Sequence, residues 1–313
     1  MKVLLTGGTG FVGRHCLRVL ADKGHEVHAV TSKTPPQNPT SNIVWHQTDL
    51  LDSSAARRLA ANIQATHLLH FAWYAVPGKY WTSPENRRWV HASMELLRAF
   101  AKHGGRRAVM AGTCAEYDWK YGVCSESSTP LAPRTIYGEC KHSLQKMAED
   151  FSREAGLSSA WGRIFFLFGP YEHPDRLVSS VISSLLRGEV ARCSSGEQRR
   201  DFLHVEKAAS AFIALLESSV EGPVNIASGR TTSVRQLVNK IGEKIGREDL
   251  IRFGEQVTPA DEPPLLAADV TRLRGEVKWT IPDSLDSDLD AIIEWWREAL
   301  QQPNKANLPQ DRY

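Results

Sequence analysis

Cysteine is scarce. Cys16, Cys114, Cys124, Cys140 and Cys193 make an odd count with no C-x-x-C spacing. That excludes a disulfide framework or a paired-thiol zinc site and points to free thiols in a reducing compartment. No apolar stretch approaches the roughly eighteen residues of a membrane helix. A strand-like run beginning at Lys2 leaves no room for a targeting segment, so the expected location is cytoplasmic, with no membrane partner. Charge of one sign is not in excess either. Lys plus Arg number 38 and Asp plus Glu 36, a net +2 that gives no electrostatic case for nucleic acid or acidic lipid. The 11 histidines show no metal-ligand spacing, so no metal is expected. Repeats and low-complexity segments are absent. What remains is a globular composition, 42% hydrophobic and 24% charged, over 313 residues, enough for one large domain or two ordinary ones.

The densest information lies in the first thirteen residues. Lys2-Val3-Leu4-Leu5 reads as a strand, Thr6-Gly7-Gly8-Thr9-Gly10-Phe11-Val12-Gly13 as a glycine turn, and Cys16, Leu17, Val19 and Leu20 as a helix face. Strand, glycine turn and helix in that order turn a weak glycine pattern into a dinucleotide-binding one. Glycine serves the tight turn, the close approach of backbone to a pyrophosphate, and helix–strand packing. A second strand follows at 26–30. Where an NAD-binding chain usually carries Asp or Glu for the ribose, this one has Thr31-Ser32-Lys33, with Arg14 beside the glycine turn. Ser, Lys and Arg suit a 2′-phosphate, so NADP(H) is expected over NAD(H), unless Lys33 and Arg14 are merely solvated charges.

Further along, residues 34–41 read as a proline-rich loop, 43–46 as a strand leading to Asp49 and Leu50, and Asp52-Ser53-Ser54 as the start of a helix. Thr66–Ala72 is a buried parallel strand by its apolar content. An aromatic loop (73–84) follows at its carboxyl end, where open α/β sheets bind ligands. Trp73, Tyr74 and Tyr80 there are cleft walls or loop packing. A helix over 84–103, a strand over 107–112 ending near Thr113, a helix from Thr135 and a strand over 159–167 continue the alternation. The expected fold is α/β, a Rossmann-type doubly wound parallel sheet with a smaller C-terminal substrate-binding lobe. Residues 1–169 form the dinucleotide-binding domain, with 201–227 returning to it. Residues 170–200 and 228–305 form the lobe, 254–268 being Pro-rich, and 306–313 a tail.

Tyr137 and Lys141 are four apart, on one face of a helix. A phenol near its ordinary pKa of about 10 is a poor acid–base group at neutral pH, and a fixed cation one turn away is expected to lower it. Such a Tyr can pass a proton to a carbonyl oxygen as hydride reaches the carbon, with the strand-end Thr113 holding the same oxygen. Cys114 and Cys140 lie beside these positions and read as small buried hydrophobes; His70 and His204 read as structural.

With these residues in place, the chain resembles the extended short-chain dehydrogenase/reductase family of nucleotide-sugar epimerases, dehydratases and ketoreductases. The likeness runs from the glycine turn through His70-Phe71-Ala72, Thr113, Tyr137/Lys141 and Phe168-Gly169-Pro170. It continues through Arg200–Val205 and Asn225–Gly229 to Asp269–Leu273. It implies Tyr137 as acid/base, Lys141 on the nicotinamide ribose, Thr113 on the substrate oxygen and Arg200 near a diphosphate. It also implies a nucleotide-sugar substrate and a homodimer through helices near 86–103 and 136–155. Cofactor contacts are expected from Gly7, Gly10, Phe11, Val12, Gly13, Arg14, Thr31, Ser32, Lys33, Asp49, Leu50, Phe71, Ala72, Trp73, Tyr137 and Lys141. Substrate contacts are expected from Trp73, Tyr74, Tyr80, Cys114, Glu116, Phe166, Arg176 and Arg200.

Three departures narrow the resemblance. Cys114 and Ala115 stand where dehydratases carry Asp and Glu, and Glu116 falls one place late. Phe166 replaces an Asn that contacts the substrate phosphates. Trp89 falls where the helix often carries a catalytic Asn. The expected activity is therefore NADPH-dependent reduction of a nucleotide-linked 4-keto-6-deoxyhexose, similar to CDP-abequose/CDP-paratose synthase-type reductases. The alternatives are an NAD-dependent nucleotide-sugar epimerase, a reductase of a non-nucleotide carbonyl compound and a non-enzymatic NADP-binding regulator.

Overall fold

The computed structural model describes residues 1–36, 42–257, 262–281 and 284–301. The strands are β1 (Lys2–Thr6), β2 (Glu26–Thr31), β3 (Ile43–Gln47), β4 (His67–His70), β5 (Arg107–Thr113), β6 (Val123–Cys124), β7 (Ser158–Ile164) and β8 (Phe166–Phe168). They continue with β9 (Ala191–Cys193), β10 (Arg199–Arg200), β11 (Phe202–His204), β12 (Gly222–Ile226), β13 (Thr232–Ser233), β14 (Ile251–Phe253) and β15 (Leu265–Ala268). The helices are α1 (Phe11–Asp22), α2 (Ser53–Ile63), α3 (Glu85–Lys102), α4 (Ile136–Ala155), α5 (Leu177–Arg187), α6 (Val205–Glu217), α7 (Val234–Ile245), α8 (Thr271–Gly275) and α9 (Leu285–Gln301).

Seven strands form one sheet in the order β12-β7-β5-β4-β1-β2-β3, every neighbouring pair parallel. Its central strands are near-continuous apolar runs because helices cover both faces. On one face α1 and α6 bury Cys16, Leu20, Phe212 and Leu216; on the other α2, α3 and α4 bury Leu59, Leu97, Phe100 and Leu144. Asp52 caps α2 through the Ser54 and Ala55 N–H groups, and Thr135 caps α4 through that of Gly138. The expected doubly wound α/β sheet is thus present. Among the described residues no helix is long and apolar enough to cross a membrane.

A second core lies around α5, α7 and α9, built on Phe168, Ile182, Leu237, Ile292 and Trp296. A small sheet, β13-β10-β15-β6, lies alongside. Two expectations change here. The single strand over 159–167 breaks at Phe165: β7 stays in the main sheet, while β8 leaves it to pair with β11. The other lies in the lobe: at the end of the Pro-rich stretch, Leu265–Ala268 forms β15, a strand the sequence reading did not place. Part of the 34–41 loop (37–41) and the 306–313 tail lie outside the described residues.

Candidate active site

The sheet reverses its winding between β1 and β4, and the crevice beyond their carboxyl ends is the floor of the site. Gly7 has φ +71°, and a Cβ there would lie 2.9 Å from the Ala72 nitrogen; at Gly13 one would lie 2.2 Å from the Gly7 carbonyl oxygen. Turn, helix and strand end therefore meet backbone to backbone. Gly10 precedes α1 without a side-chain cap, which leaves first-turn N–H groups for an outside acceptor. A dinucleotide's pyrophosphate fits this cradle. Phe11 and Val12 are half-buried in that turn. The Ala72 N–H donates to Thr6 Oγ1 at 3.2 Å. Thr31 Oγ1 lies 3.4 Å from Thr9 Oγ1 and accepts the Lys33 N–H at 3.1 Å. Ser32, Lys33 and Asp49 are exposed, and Asp49 Oδ1 accepts the Leu51 N–H at 2.9 Å.

Three expected cofactor residues turn their side chains to partners within the chain. The Leu50 side chain is taken up by the core beside Ala56 and Leu59. The Phe71 ring packs edge-on against Phe212 at 4.8 Å, so its main chain rather than its side chain abuts the glycine turn. Arg14 donates to the Thr9 carbonyl at 2.8 Å and lies 4.1 Å over the Tyr171 ring. It braces the turn against the loop after β8.

β5 delivers Thr113 to the cleft, and a tight 3₁₀ turn (Cys114–Glu116) begins there. Thr113 Oγ1 accepts the Ala115 N–H at 3.2 Å, and the Thr113 hydroxyl faces the Tyr137 phenol. One turn further along α4, Lys141 is buried; Nζ donates to the Ala111 carbonyl at 2.9 Å and lies 3.8 Å from the centre of the Trp73 ring. Burial lowers Lys141 to about 7, against the attraction of Glu116. Burial also pushes Tyr137 above the usual phenol range, with Tyr80 adding to the effect and Thr113 opposing it. The lowered phenol expected from Lys141 is not present, because the ammonium faces a carbonyl and an indole while desolvation dominates. His70, held down to about 3 by burial and by Lys141, is a neutral pin from Thr6 (2.7 Å) to Ser93 (2.8 Å).

On the substrate side Tyr80 is buried, its ring set edge-on at 4.8 Å from Tyr137. The guanidinium of Arg176, the residue before α5, lies 5.6 Å from the Tyr80 ring centre and acts against the rise of its phenol. Tyr74 is half-buried at the loop's start. Phe166 lies under Arg200, whose guanidinium carbon is 5.4 Å from the ring centre. Arg200 is paired with Glu262. Two expected substrate contacts are not open to a ligand. Glu116 has no exposed surface: it accepts the Thr113 N–H (2.8 Å), the Trp161 indole N–H (2.9 Å) and Arg163 Nε (2.7 Å). Cys114 belongs to the core, where burial raises its thiol out of the reactive range; Cys140 is also buried and raised.

Sequence reasoning missed Arg163, Asn86, Glu172 and Glu262. Arg163 had a signal, since a charge inside an apolar strand needs a buried partner. Glu172, buried and pushed up to about 8, accepts from the Ser179 hydroxyl at 2.8 Å. For Asn86 and Glu262 no local pattern distinguishes them from surface residues.

The comparisons agree with this geometry. UDP-glucuronic acid decarboxylase 1 of Xenopus tropicalis is 28% identical over 323 aligned residues, covering 99% of this chain and 76% of that protein. The uncharacterized UDP-glucose epimerase YtcB of Bacillus subtilis (strain 168) is 27% identical, covering 94% and 98%. Among solved structures, MoeE5 in complex with UDP-glucuronic acid and NAD superposes with a TM-score of 0.84 at 29% identity, covering 96% of this chain and all of that one. Residues 3–227 match the model of the NAD dependent epimerase/dehydratase family. With that match spanning most of its length, the chain belongs to the NAD dependent epimerase/dehydratase family.

Proposed function

We propose that this enzyme oxidises C4 of a UDP-linked hexose and re-reduces it from the other face, acting as an NAD-dependent 4-epimerase. The observation that carries the reading is a catalytic set that stops at Thr113, Tyr137 and Lys141. Elimination of water needs a further acid. Cys114 is a raised, buried thiol, Ala115 has no acid, and Glu116 is sealed by Arg163 and Trp161. That supports C4 redox chemistry without dehydration.

A dinucleotide held by the Gly7–Gly13 cradle would supply reversible hydride acceptance at C4. Thr113 would hold the C4 oxygen, and Tyr137, acting from its phenolate form, would receive the alcohol's proton and return it as the alcohol re-forms; burial in the folded chain holds that residue as the neutral phenol, the form that donates. NAD is the cofactor of the reading, supported by the MoeE5 complex and by Arg14's engagement with Tyr171. One observation favours the NADPH-dependent 4-ketoreductase instead: Thr31-Ser32-Lys33 offers no carboxylate to the ribose, and Lys33 is exposed. The reading includes a homodimer through α3 and α4, where Met147 is exposed.

The test is sugar-nucleotide turnover followed by NMR, with absorbance at the reduced-nicotinamide band. Interconversion of C4 epimers without net absorbance change supports the epimerase. Steady NADPH consumption with a 4-keto-6-deoxyhexose nucleotide would overturn it in favour of the reductase, and release of CO2 from UDP-glucuronic acid in favour of a decarboxylase. Tyr137→Phe should lower kcat by about a hundredfold or more while sparing cofactor binding.

A further inference from the structure

Asn86 lies in the first turn of α3 with no exposed surface. Its amide grips the aromatic loop at three points. Nδ2 donates to the carbonyls of Tyr80 at 2.7 Å and Ser83 at 2.9 Å, and Oδ1 accepts the Trp73 indole N–H at 2.8 Å. The loop so gripped touches both halves of the catalytic pair. The Trp73 ring centre is 3.8 Å from Lys141 Nζ. The Tyr80 ring is 4.8 Å from that of Tyr137, and the Trp81 carbonyl accepts the Tyr137 N–H at 3.1 Å.

We propose that Asn86 is a positioning residue for catalysis, clamping the 73–84 loop so that Trp73 covers the Lys141 ammonium while Tyr80 and Trp81 fix the Tyr137 ring. The inference rests on the reading that Tyr137 and Lys141 carry the reaction. An amide of this length supplies two donors and one acceptor in a single plane. A carboxylate would turn negative oxygens on two carbonyls, and an apolar side chain would leave two carbonyls and an indole N–H unpaired in the interior. The covering indole attracts the ammonium through its face and keeps water from it. The charged and titratable groups acting on Lys141 are Glu116 from the 3₁₀ turn and His70 from β4, with Tyr137 one turn back on α4.

Asn86→Ala, Trp73→Phe and Tyr137→Phe, each in the full chain, test the proposal. Asn86→Ala should lower kcat about tenfold or more, the scale of a displaced catalytic geometry, with a much smaller change in KM for the sugar nucleotide. Water reaching Lys141 should move the alkaline limb of the kcat profile to higher pH. Acetic anhydride labelling, read by peptide mass, should rise at Lys141 and stay unchanged at Lys207, which is paired with Asp288 far from the loop. Trp73→Phe keeps an aromatic face but removes the indole N–H and part of the covering ring, so it should shift the same readouts in the same direction. An Asn86→Ala protein that melts like wild type with an unmoved limb and unchanged labelling overturns the clamp. Should that variant not fold, an unmoved limb and unchanged labelling in Trp73→Phe overturn it. Full activity in Tyr137→Phe would instead sink the catalytic pair itself, whereas an inactive Tyr137→Phe beside an unaffected Asn86→Ala sinks the clamp alone.

Discussion

Glu116→Gln removes one charge from the interior and almost nothing else. The glutamine carbonyl can still accept from Thr113 and Trp161, which bind Oε1, whereas Arg163 loses its anion at 2.7 Å. Both partners are fully buried, so no water replaces the lost contact. Breaking one side of such a pair costs about 3–5 kcal/mol. With a urea m-value of about 3 kcal/mol per molar, the unfolding midpoint should fall by about 1–1.7 M. Glu116→Gln combined with Arg163→Met removes the stranded cation and should recover a large part of the loss, giving a coupling energy of about 1–3 kcal/mol in a double-mutant cycle. Circular dichroism across a urea gradient reads all three variants. A midpoint shift below about 0.3 M for the single variant, or additive losses in the double, would refute the reasoning that this pair fastens the 3₁₀ turn after β5 to β7.

Two further outcomes follow from the site. Lys141 stands at about 7 in the folded chain, against an ordinary value of 10.5. If the ammonium is the working form, kcat falls as pH rises through about 7. Between the two values the unfolded chain binds more protons, so stability rises with pH over that window. Lys141→Met should abolish turnover and flatten the stability slope, read by rate profiles and by melting across pH. Gly13→Ala places a Cβ 2.2 Å from the Gly7 carbonyl oxygen and must push α1 from the glycine turn. Cofactor affinity, measured by fluorescence titration, should weaken by about tenfold or more, which is about 1.4 kcal/mol; unchanged affinity would contradict the cradle.

The parts of the fold governed by local rules were legible. Glycines at 7, 10 and 13, alternating apolar runs, Asp52 before α2 and Thr135 before α4 each carry their own reason, and each element formed where that reason placed it. Thr113, Tyr137 and Lys141 meet as spacing and strand order required. What was not legible depends on which side chain wins a partner across the chain. Arg14 was read by its charge, but Tyr171, 157 positions away and held at φ +68°, supplies a better surface. Glu116 was read by its place beside Thr113, yet its partner stands on β7. Tyr137 was read by the cation one turn along its helix, and burial from a separate loop outweighed that cation.

β6 belongs by position to the stretch between β5 and α4, yet it pairs with β15 in the small sheet. Asn225, on the last strand of the main sheet, donates to the Cys124 carbonyl at 2.9 Å and the Asp269 carbonyl at 3.0 Å. The main sheet and the small sheet are therefore stitched through a borrowed strand. A chimera cut only at Gly169, taking its remainder from a relative, would set β15 against a foreign edge. Grafts that also transplant the segment around 118–130 would keep that seam native. The small sheet is thus built from separated tracts of the chain, and recombination that moves one without the other should yield misfolded protein.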